Sequence, residues 1–452
     1  MSNGATTAEP KAAQDRSAAQ DRFRRFMEGL DETGAATDRR REAWDTYASL
    51  PMPSTQSEEW RYTDVSDLRP VEDFVPVAPS APASLAREEL PDPVLEVLAG
   101  EQDRSGVAVE VNGRTVHRSL DDDLVDRGVI FARLDEVARS RPELLQRWLY
   151  ASDVAEMEAK FWSLHVALLT EGYLLYVPDG VDVANPVHVL RWIDREGVLV
   201  ATHSLIVAGE DSEVTCMDEY LSPDLASPSL SVNGVEIVGG RNATVRYLSL
   251  GRFGRGVEHF SVQHAMAGRD TTLSGFNVAL GGDRIRADVT SHLQGPGSES
   301  EMLALWFGDG DQHFDHHTLQ HHAAPHAYSD LLYKGALEGR AESVFRGLIR
   351  VDEGAQLTDA YQTNRNLLLS EESHAITLPN LEIEADDVRC SHGATVGQVD
   401  PSMMFYLMSR GLTRSQAERL LVFGFFDEVL DRMPVAGARR RVGDAIEQKI
   451  GL

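Results

Sequence analysis

Turn signals recur at a nearly constant spacing through the middle of this 452-residue chain. Between Tyr173 and Val399, short runs rich in β-branched and aromatic residues, such as VHVLRWI and VLVATHSLIV, alternate with polar turns. The candidate turns centre on Gly209, Gly239, Gly268, Gly281, Gly297, Gly310, Gly339, Gly354 and Glu371. Their spacing clusters near ~15 residues or twice that value, which is typical of stacked coils. The pattern predicts a β-solenoid. A β-sandwich is the alternative, although this many strands is large for one such domain.

The residues on either side of this repeat predict helices. We expect a mainly helical N-terminal region at 1–170, the β core at 171–399 and a C-terminal helical region at 400–452. The predicted fold class is therefore mainly β, with a coiled core flanked by α-helical regions at both ends.

Charge and hydropathy restrict the partners of this chain. It has 72 acidic and 43 basic residues, which gives a formal net charge of −29. Such a surface repels nucleic acid and anionic lipid. Two explanations of this composition are equally weighted. One is the Arg-rich bias of a GC-rich genome, and the other is adaptation to high salt.

No run reaches the ~18–20 apolar residues of a membrane span, and the first residues have no apolar signal core. We expect a globular cytoplasmic protein.

The sequence lacks the common catalytic motifs. There is no P-loop, HExxH, GxSxG or CxxC pattern, so we expect no enzyme activity and no nucleotide on this chain. Only two cysteines occur, Cys216 and Cys390. They cannot form a four-thiolate site within one chain, and Cys216 is predicted to be a core residue.

A histidine-rich run, HFDHHTLQHHAAPH, spans residues 313–326. On a strand, His313, Asp315 and His317 would share one face, and two imidazoles with a carboxylate are a conceivable metal site. Histidines that stack between coils and hydrogen-bond locally are the simpler interpretation, because clustering in sequence does not bring ligands together in space.

Cys390 and His392 form a second candidate pair, in RCSHGATVG. In an extended segment they share a face, with Cα atoms about 6–7 Å apart. A thiolate and an imidazole suit iron, but a cluster needs about four ligands, so others would come from a partner chain or from sulfide. A Cys–His nucleophilic pair and an inert cysteine beside a surface histidine are the alternatives.

The C-terminal region holds a helix that is apolar on more than one face. Thr413 and Gln416 form a capping-box pattern at its start. The run LLVFGFF follows, whereas one buried face would need only about half of its residues. We favour a partner-binding face over complete burial in the chain's own domain. The candidate contacts are Leu420, Leu421, Phe423, Phe425 and Phe426.

Several stretches together resemble the SufB/SufD family of the SUF iron–sulfur cluster assembly complex. They include STQSEEWRYTD, FWSLHVALLTEGYLLYVPDGV, HHTLQHHAAPHAYSDLLYKGAL and LEIEADDVRCSHGATVGQVD, and the likeness spans about residues 50–435. Within the family, CSHGATVG and the low cysteine count resemble the SufD branch more than the SufB branch.

The resemblance implies a right-handed parallel β-helix and a non-catalytic scaffold. Such a chain pairs with a SufB-like paralogue and docks the SufC ATPase through its C-terminal helices. It implies a transient iron–sulfur cluster at the interface with SufB, with His392 as a ligand and Cys390 beside it. A stand-alone metal-binding protein using His313, Asp315 and His317, and a homodimeric scaffold, are the alternative functions.

Overall fold

The computed structural model describes residues 8–30, 34–83, 85, 89–100, 103–151 and 159–450. Its helices are α1 (Ala8–Glu28), α2 (Ala35–Ser49), α3 (Pro70–Asp73), α4 (Asp92–Gly100), α5 (Asp122–Asp126), α6 (Leu134–Ser140), α7 (Pro142–Trp148), α8 (Ala159–Ala167), α9 (Pro401–Ser409), α10 (Arg414–Leu430) and α11 (Ala436–Lys449). Its strands are β1 (Val75–Pro76), β2 (Gly106–Val111), β3 (Arg114–Leu120), β4 (Ile130–Arg133), β5 (Glu171–Val177), β6 (Val187–Trp192), β7 (Val198–Ala208), β8 (Glu213–Leu221), β9 (Ser229–Gly239), β10 (Thr244–Arg252), β11 (Val257–Ala267), β12 (Thr272–Ala279), β13 (Arg284–Leu293), β14 (Glu299–Gly308), β15 (His313–His322), β16 (Tyr328–Leu337), β17 (Glu342–Val351), β18 (Asp359–Leu368), β19 (His374–Ile383) and β20 (Arg389–Gln398).

Strands β5 to β20 form a parallel β-solenoid of about eight coils. Consecutive strands alternate between two sheets. The odd sheet has the order β19-β17-β15-β13-β11-β9-β7-β5-β4, and the even sheet β20-β18-β16-β14-β12-β10-β8-β6-β2-β3. Register partners such as Arg284, His313 and Glu342 are 29 residues apart, one strand from each coil. This confirms the predicted parallel β-helix and excludes the sandwich.

Alternate residues of both sheets fill the space between them, which we call the lumen. Phe314 and Phe345 of the odd sheet meet Trp306 and Tyr333 of the even sheet in one buried cluster. Each of these aromatic side chains is fully buried, and burial of one such side chain stabilises the fold by roughly 1.5–3 kcal/mol. The period-2 pattern of the strands therefore sets which residues face the lumen and which face outward.

Helical segments cover the outer faces of both sheets. On the odd sheet, Phe161 of α8 stacks on Phe260 with ring centroids 4.1 Å apart. On the even sheet, Val422 and Phe426 of α10 are buried in one cluster with apolar residues of β8 to β16. The C-terminal helices thus lie along the side of the solenoid, where a whole sheet face is available to cover them, rather than at its end.

The two ends of the solenoid differ. At the first coil, β4 and β2–β3 extend the two sheets, with antiparallel pairing of β4 to β5 and of β2 to β3. At the last coil, β19 and β20 are the outermost strands, and most of their side chains are exposed. Within the part of the chain described, no helix is both long and apolar enough to cross a membrane. Residues 1–170 hold strands β1 to β4 as well as helices. The division of the chain into three regions remains a prediction.

Candidate functional site

Cys390 and His392 lie on β20, at the open end of the solenoid. In the parallel register, Cys390 stacks on the buried Ala360 and His392 on the buried Gln362. Register partners in parallel strands share a face, so both side chains belong to the row that faces the lumen. Because no further described strand covers β20, His392 is exposed and accessible to a partner chain or ligand.

Cys390 is half-buried, since its thiol packs against an apolar cluster at the mouth of the lumen that includes Ile349 and Val351. Burial raises the pKa of this thiol, and the nearby Asp359 carboxylate raises it further. The thiol is therefore protonated at neutral pH in the isolated chain. This disfavours a Cys–His nucleophilic pair, which needs a thiolate.

The outermost strands leave backbone groups unpaired. One edge of β19 and one edge of β20 have no neighbouring strand among the described residues. Such edges are templates for pairing with another chain. The end also carries exposed apolar residues, Leu381, Ile383 and Val396. A cavity of about 400 Å³ opens there beside Val396 and Ala375. The surface therefore has the properties of an interface.

The histidine-rich run forms β15, and its members point to opposite faces. His316 faces the lumen, with its ring centroid 4.5 Å from that of Trp306. His322 also faces inward, and its Nε2 lies 2.8 Å from Ser329 Oγ. His321 lies on the outer face, 3.1 Å from Asp352. Local stacking and hydrogen bonding therefore account for these imidazoles.

Asp315 is at the centre of a buried ion-pair network. Its carboxylate accepts hydrogen bonds from Arg286 and Thr63, both at 2.6 Å, and lies 3.0 Å from His317 Nε2. Burial alone would raise the pKa of Asp315, but His317 and Arg286 outweigh it and hold the pKa well below its usual range. His313 Nε2 contacts Thr63 Oγ1 instead, at 2.9 Å.

The conceivable metal site at His313, Asp315 and His317 gains no support from this geometry, whereas the local hydrogen bonding that the sequence favoured is present. In the described ranges, no group of three or more His, Cys, Asp or Glu side chains could hold a metal ion. The three residues do share one face, as the strand period predicts. However, a guanidinium occupies the position that a cation would take, because Arg286 comes from the adjacent strand β13.

The five candidate partner contacts on α10 are divided between two faces. Phe426 is fully buried against the even sheet, which removes it from any partner surface. Leu420 is exposed, and Leu421, Phe423 and Phe425 are partly buried. The partial burial of Phe423 and Phe425 also occurs against the chain's own core.

The sequence predicted docking through the C-terminal helices but did not single out the more exposed apolar side chains, which lie on α9. Phe405 is 74% exposed, and Met403, Tyr406 and Met408 are also exposed. We call these four exposed side chains the α9 surface; Leu420 of the next helix, α10, is exposed as well. The signal was present as the run SMMFYLM between the Asp400 N-cap and Gly411. A helix of nine residues that is apolar around most of its circumference cannot bury every face in its own domain.

Charged contacts attach the C-terminal helices to the even sheet. They link Lys334 to Glu428 at 2.8 Å, Arg432 to Asp330 at 3.1 Å, Arg441 to Glu219 at 2.9 Å and Lys449 to Asp309 at 2.9 Å. These pairs are spread over β8, β16 and the turn after β14, so α10 and α11 are held along most of the even sheet.

Comparison with known proteins is consistent with this architecture. Residues 191–425 match the family described as SUF system FeS cluster assembly, SufBD core domain, and residues 21–189 match the SufBD protein N-terminal region. The chain therefore belongs to the SufBD family of iron–sulfur cluster assembly proteins.

Curated relatives extend the match over nearly the whole chain. The iron–sulfur cluster assembly protein SufD of Bacillus subtilis is 30% identical over 438 residues, which cover 95% of this chain and 98% of the relative. The SufBD family protein slr0076 of Synechocystis is 29% identical over 92% of this chain and 91% of its own length. The family protein ML0594 of Mycobacterium leprae is 32% identical over 60% of this chain and 70% of its own length. The predicted resemblance to SufD is confirmed.

Proposed function

We propose that this chain is a non-catalytic scaffold subunit that pairs with a SufB-like paralogue at the open end of its solenoid. There, His392 is a ligand of a nascent iron–sulfur cluster, with Cys390 beside it. The observation that carries the proposal is the exposure of His392 in a lumen-facing row on an uncovered edge strand. Two side chains are too few for a cluster, so a partner chain or sulfide completes the ligand set.

Pairing through this end is supported by the character of the surface. Unpaired strand edges, exposed apolar side chains and a cavity next to them are what an interface between two solenoids requires. A partner strand that adds to β20 would cover His392 and exclude water from it. Cluster chemistry at this position would then depend on assembly of the two chains.

The α9 surface is the proposed docking site for the SufC ATPase. Apolar side chains this exposed are characteristic of protein–protein contact sites. The ATPase would supply nucleotide hydrolysis, which the motifs of this chain do not provide. Movement at α9 would reach the even sheet through α10 and α11, because their charged contacts hold them to it. The two unpaired cysteines fit a reducing, cytoplasmic location.

Anaerobic reconstitution of the co-expressed SufB–SufC complex with this chain tests the assembly role. Wild type is compared with His392→Ala and Cys390→Ser by absorbance and bound iron. His117→Ala, which removes an exposed histidine near the other end, is the matched control. We expect His392→Ala to lose the cluster while the complex stays assembled and the control keeps it. An unchanged cluster in His392→Ala would contradict a ligand role for His392. The chain would then act only as a scaffold.

A homodimeric scaffold is the alternative supported by the same open end. A second copy of this chain could cover β19 and β20 when no SufB-like chain is present. Light scattering of the chain alone and after addition of the paralogue distinguishes the two cases. A homodimer that persists with excess paralogue would contradict the heterodimer.

A further inference from the structure

Gln362 is a buried amide whose hydrogen-bonding atoms have no partner among the described residues. Its side chain is 1% exposed, and neither Oε1 nor Nε2 makes a hydrogen bond. It lies on β18 and is the register partner of His392 on β20. An amide left unpaired in a protein interior is costly, so a native chain that keeps one requires an explanation.

The surrounding lumen is built to hold this amide. Gly347, on β17 of the opposite sheet, contacts it so closely that a Cβ atom there would lie 2.4 Å from Gln362 Nε2. Any larger residue at this position would displace the amide. The other lumen-facing amides of β18 are paired, since Asn366 donates to Asn364 Oδ1 at 2.8 Å and Asn364 donates to Tyr333 O at 3.2 Å. Among the three lumen-facing amides of β18, only Gln362 has neither amide atom paired within the described residues.

Gln362 lies one strand away from the open end of the solenoid. Strand β18 is the last strand of the even sheet with another strand on both sides, and β20 above it presents His392 in the same row. Thr377 on β19 of the odd sheet is partly buried, and its Oγ1 is also buried without a hydrogen-bond partner among the described residues. The mouth of the lumen therefore has polar groups beneath His392 that have no hydrogen-bond partner in the described part of the chain.

Histidines that bind metals usually donate their second ring N–H to an oxygen, which sets the ring orientation and the tautomer. We propose that Gln362 is the positioning residue for His392: its Oε1 accepts one imidazole N–H when a partner covers the open end. The other ring nitrogen is then free for iron. This inference rests on the proposed ligand role of His392.

Ferrous iron titration of the anaerobic complex with SufB and SufC tests the inference. We compare Gln362→Leu, which removes the acceptor, with Gln362→Glu, which retains an oxygen at the same reach. We expect iron binding about 10–100-fold weaker in Gln362→Leu and restored to within a few fold in Gln362→Glu. Iron binding that is unchanged in Gln362→Leu, or equally weak in both variants, would overturn the proposal.

Thermal unfolding of the isolated chain separates positioning from a structural role. Gln362→Leu should be at least as stable as wild type, because it removes an unpaired amide. Asn364→Leu, the control, should be less stable, because it breaks two existing hydrogen bonds. Destabilisation by Gln362→Leu would mean that internal partners, such as buried water, already satisfy the amide, and would reject the inference.

The His392→Ala variant in the same iron titration distinguishes this inference from the proposed function. If His392→Ala loses iron and Gln362→Leu does not, only the positioning role fails. If His392→Ala also binds iron as wild type does, the ligand role itself fails, and the positioning role fails with it.

Discussion

Arg441 of α11 donates hydrogen bonds from two of its nitrogens to the carboxylate of Glu219 on β8, at 3.2 and 2.9 Å. Glu219 is fully buried and also contacts Arg252 at 2.9 Å and His188 at 3.2 Å. A buried carboxylate with several cationic partners holds its surroundings in one geometry, because breaking a single contact leaves an uncompensated charge. This cluster therefore fixes α11 against the sheet.

Glu219→Ala should destabilise the chain by about 3–5 kcal/mol, since it leaves the buried cationic groups without their anion. Arg441→Ala should cost less, because Glu219 retains Arg252. Urea denaturation measures both. Arg340→Ala removes an exposed pair with Asp311, and it should change stability little because water screens this pair. Equal effects of Glu219→Ala and Arg340→Ala would contradict a structural role for the buried cluster.

Acid should weaken the fold through the same carboxylate. Burial would raise the pKa of Glu219, but the hydrogen bond from His188 and the charges of Arg441 and Arg252 lower it to about 2, against an ordinary value of 4.5. Its stabilising effect is therefore complete above pH ~4.5 and is lost as the pH falls towards 2. We expect about 3 kcal/mol of acid-sensitive stability from this group. Glu219→Gln should flatten that dependence, as measured by urea unfolding between pH 5 and 3.

Glu110 should have the opposite pH dependence. Its carboxyl group shares Arg191 with Asp218, and burial raises the pKa of Glu110 to about 8 despite the nearby guanidinium. Because the folded state holds this proton more tightly than the unfolded state, stability is lost as the pH rises from about 4.5 through 8. Glu110→Gln should gain stability over wild type by up to about 1.4 kcal/mol per pH unit in that window. A constant difference between the two proteins from pH 5 to pH 8 would contradict the prediction.

Phe405 and Phe426 provide a matched pair for the docking proposal. Phe426→Ala should destabilise the chain by about 3–5 kcal/mol, because it leaves a cavity between α10 and the even sheet. Phe405→Ala should change stability little, since its side chain is 74% exposed, and should reduce co-purification of the SufC ATPase. Normal retention of SufC by a chain with both Phe405→Ala and Met403→Ala would contradict docking at α9.

Local sequence patterns were sufficient for the repeat and the caps. The turn spacing predicted the coils because the strands of each coil pair in register with those of the preceding coil. This pairing requires coils of nearly equal length. The capping box at Thr413 and Gln416 is present as predicted, since its hydrogen bonds join residues only three apart in sequence. The shared face of Cys390 and His392 also follows from the strand period alone.

Contacts between residues far apart in sequence were decided only by the tertiary structure. Arg286 and Thr63 donate hydrogen bonds to the carboxylate of Asp315. Thr63 is 252 residues away from Asp315 along the chain, so no local pattern could exclude the metal site. In the same way, Phe426 is buried because α10 packs against the even sheet, whereas Phe405 on α9 stays exposed. A period specifies which residues share a face, whereas the partner of that face depends on how distant segments pack together.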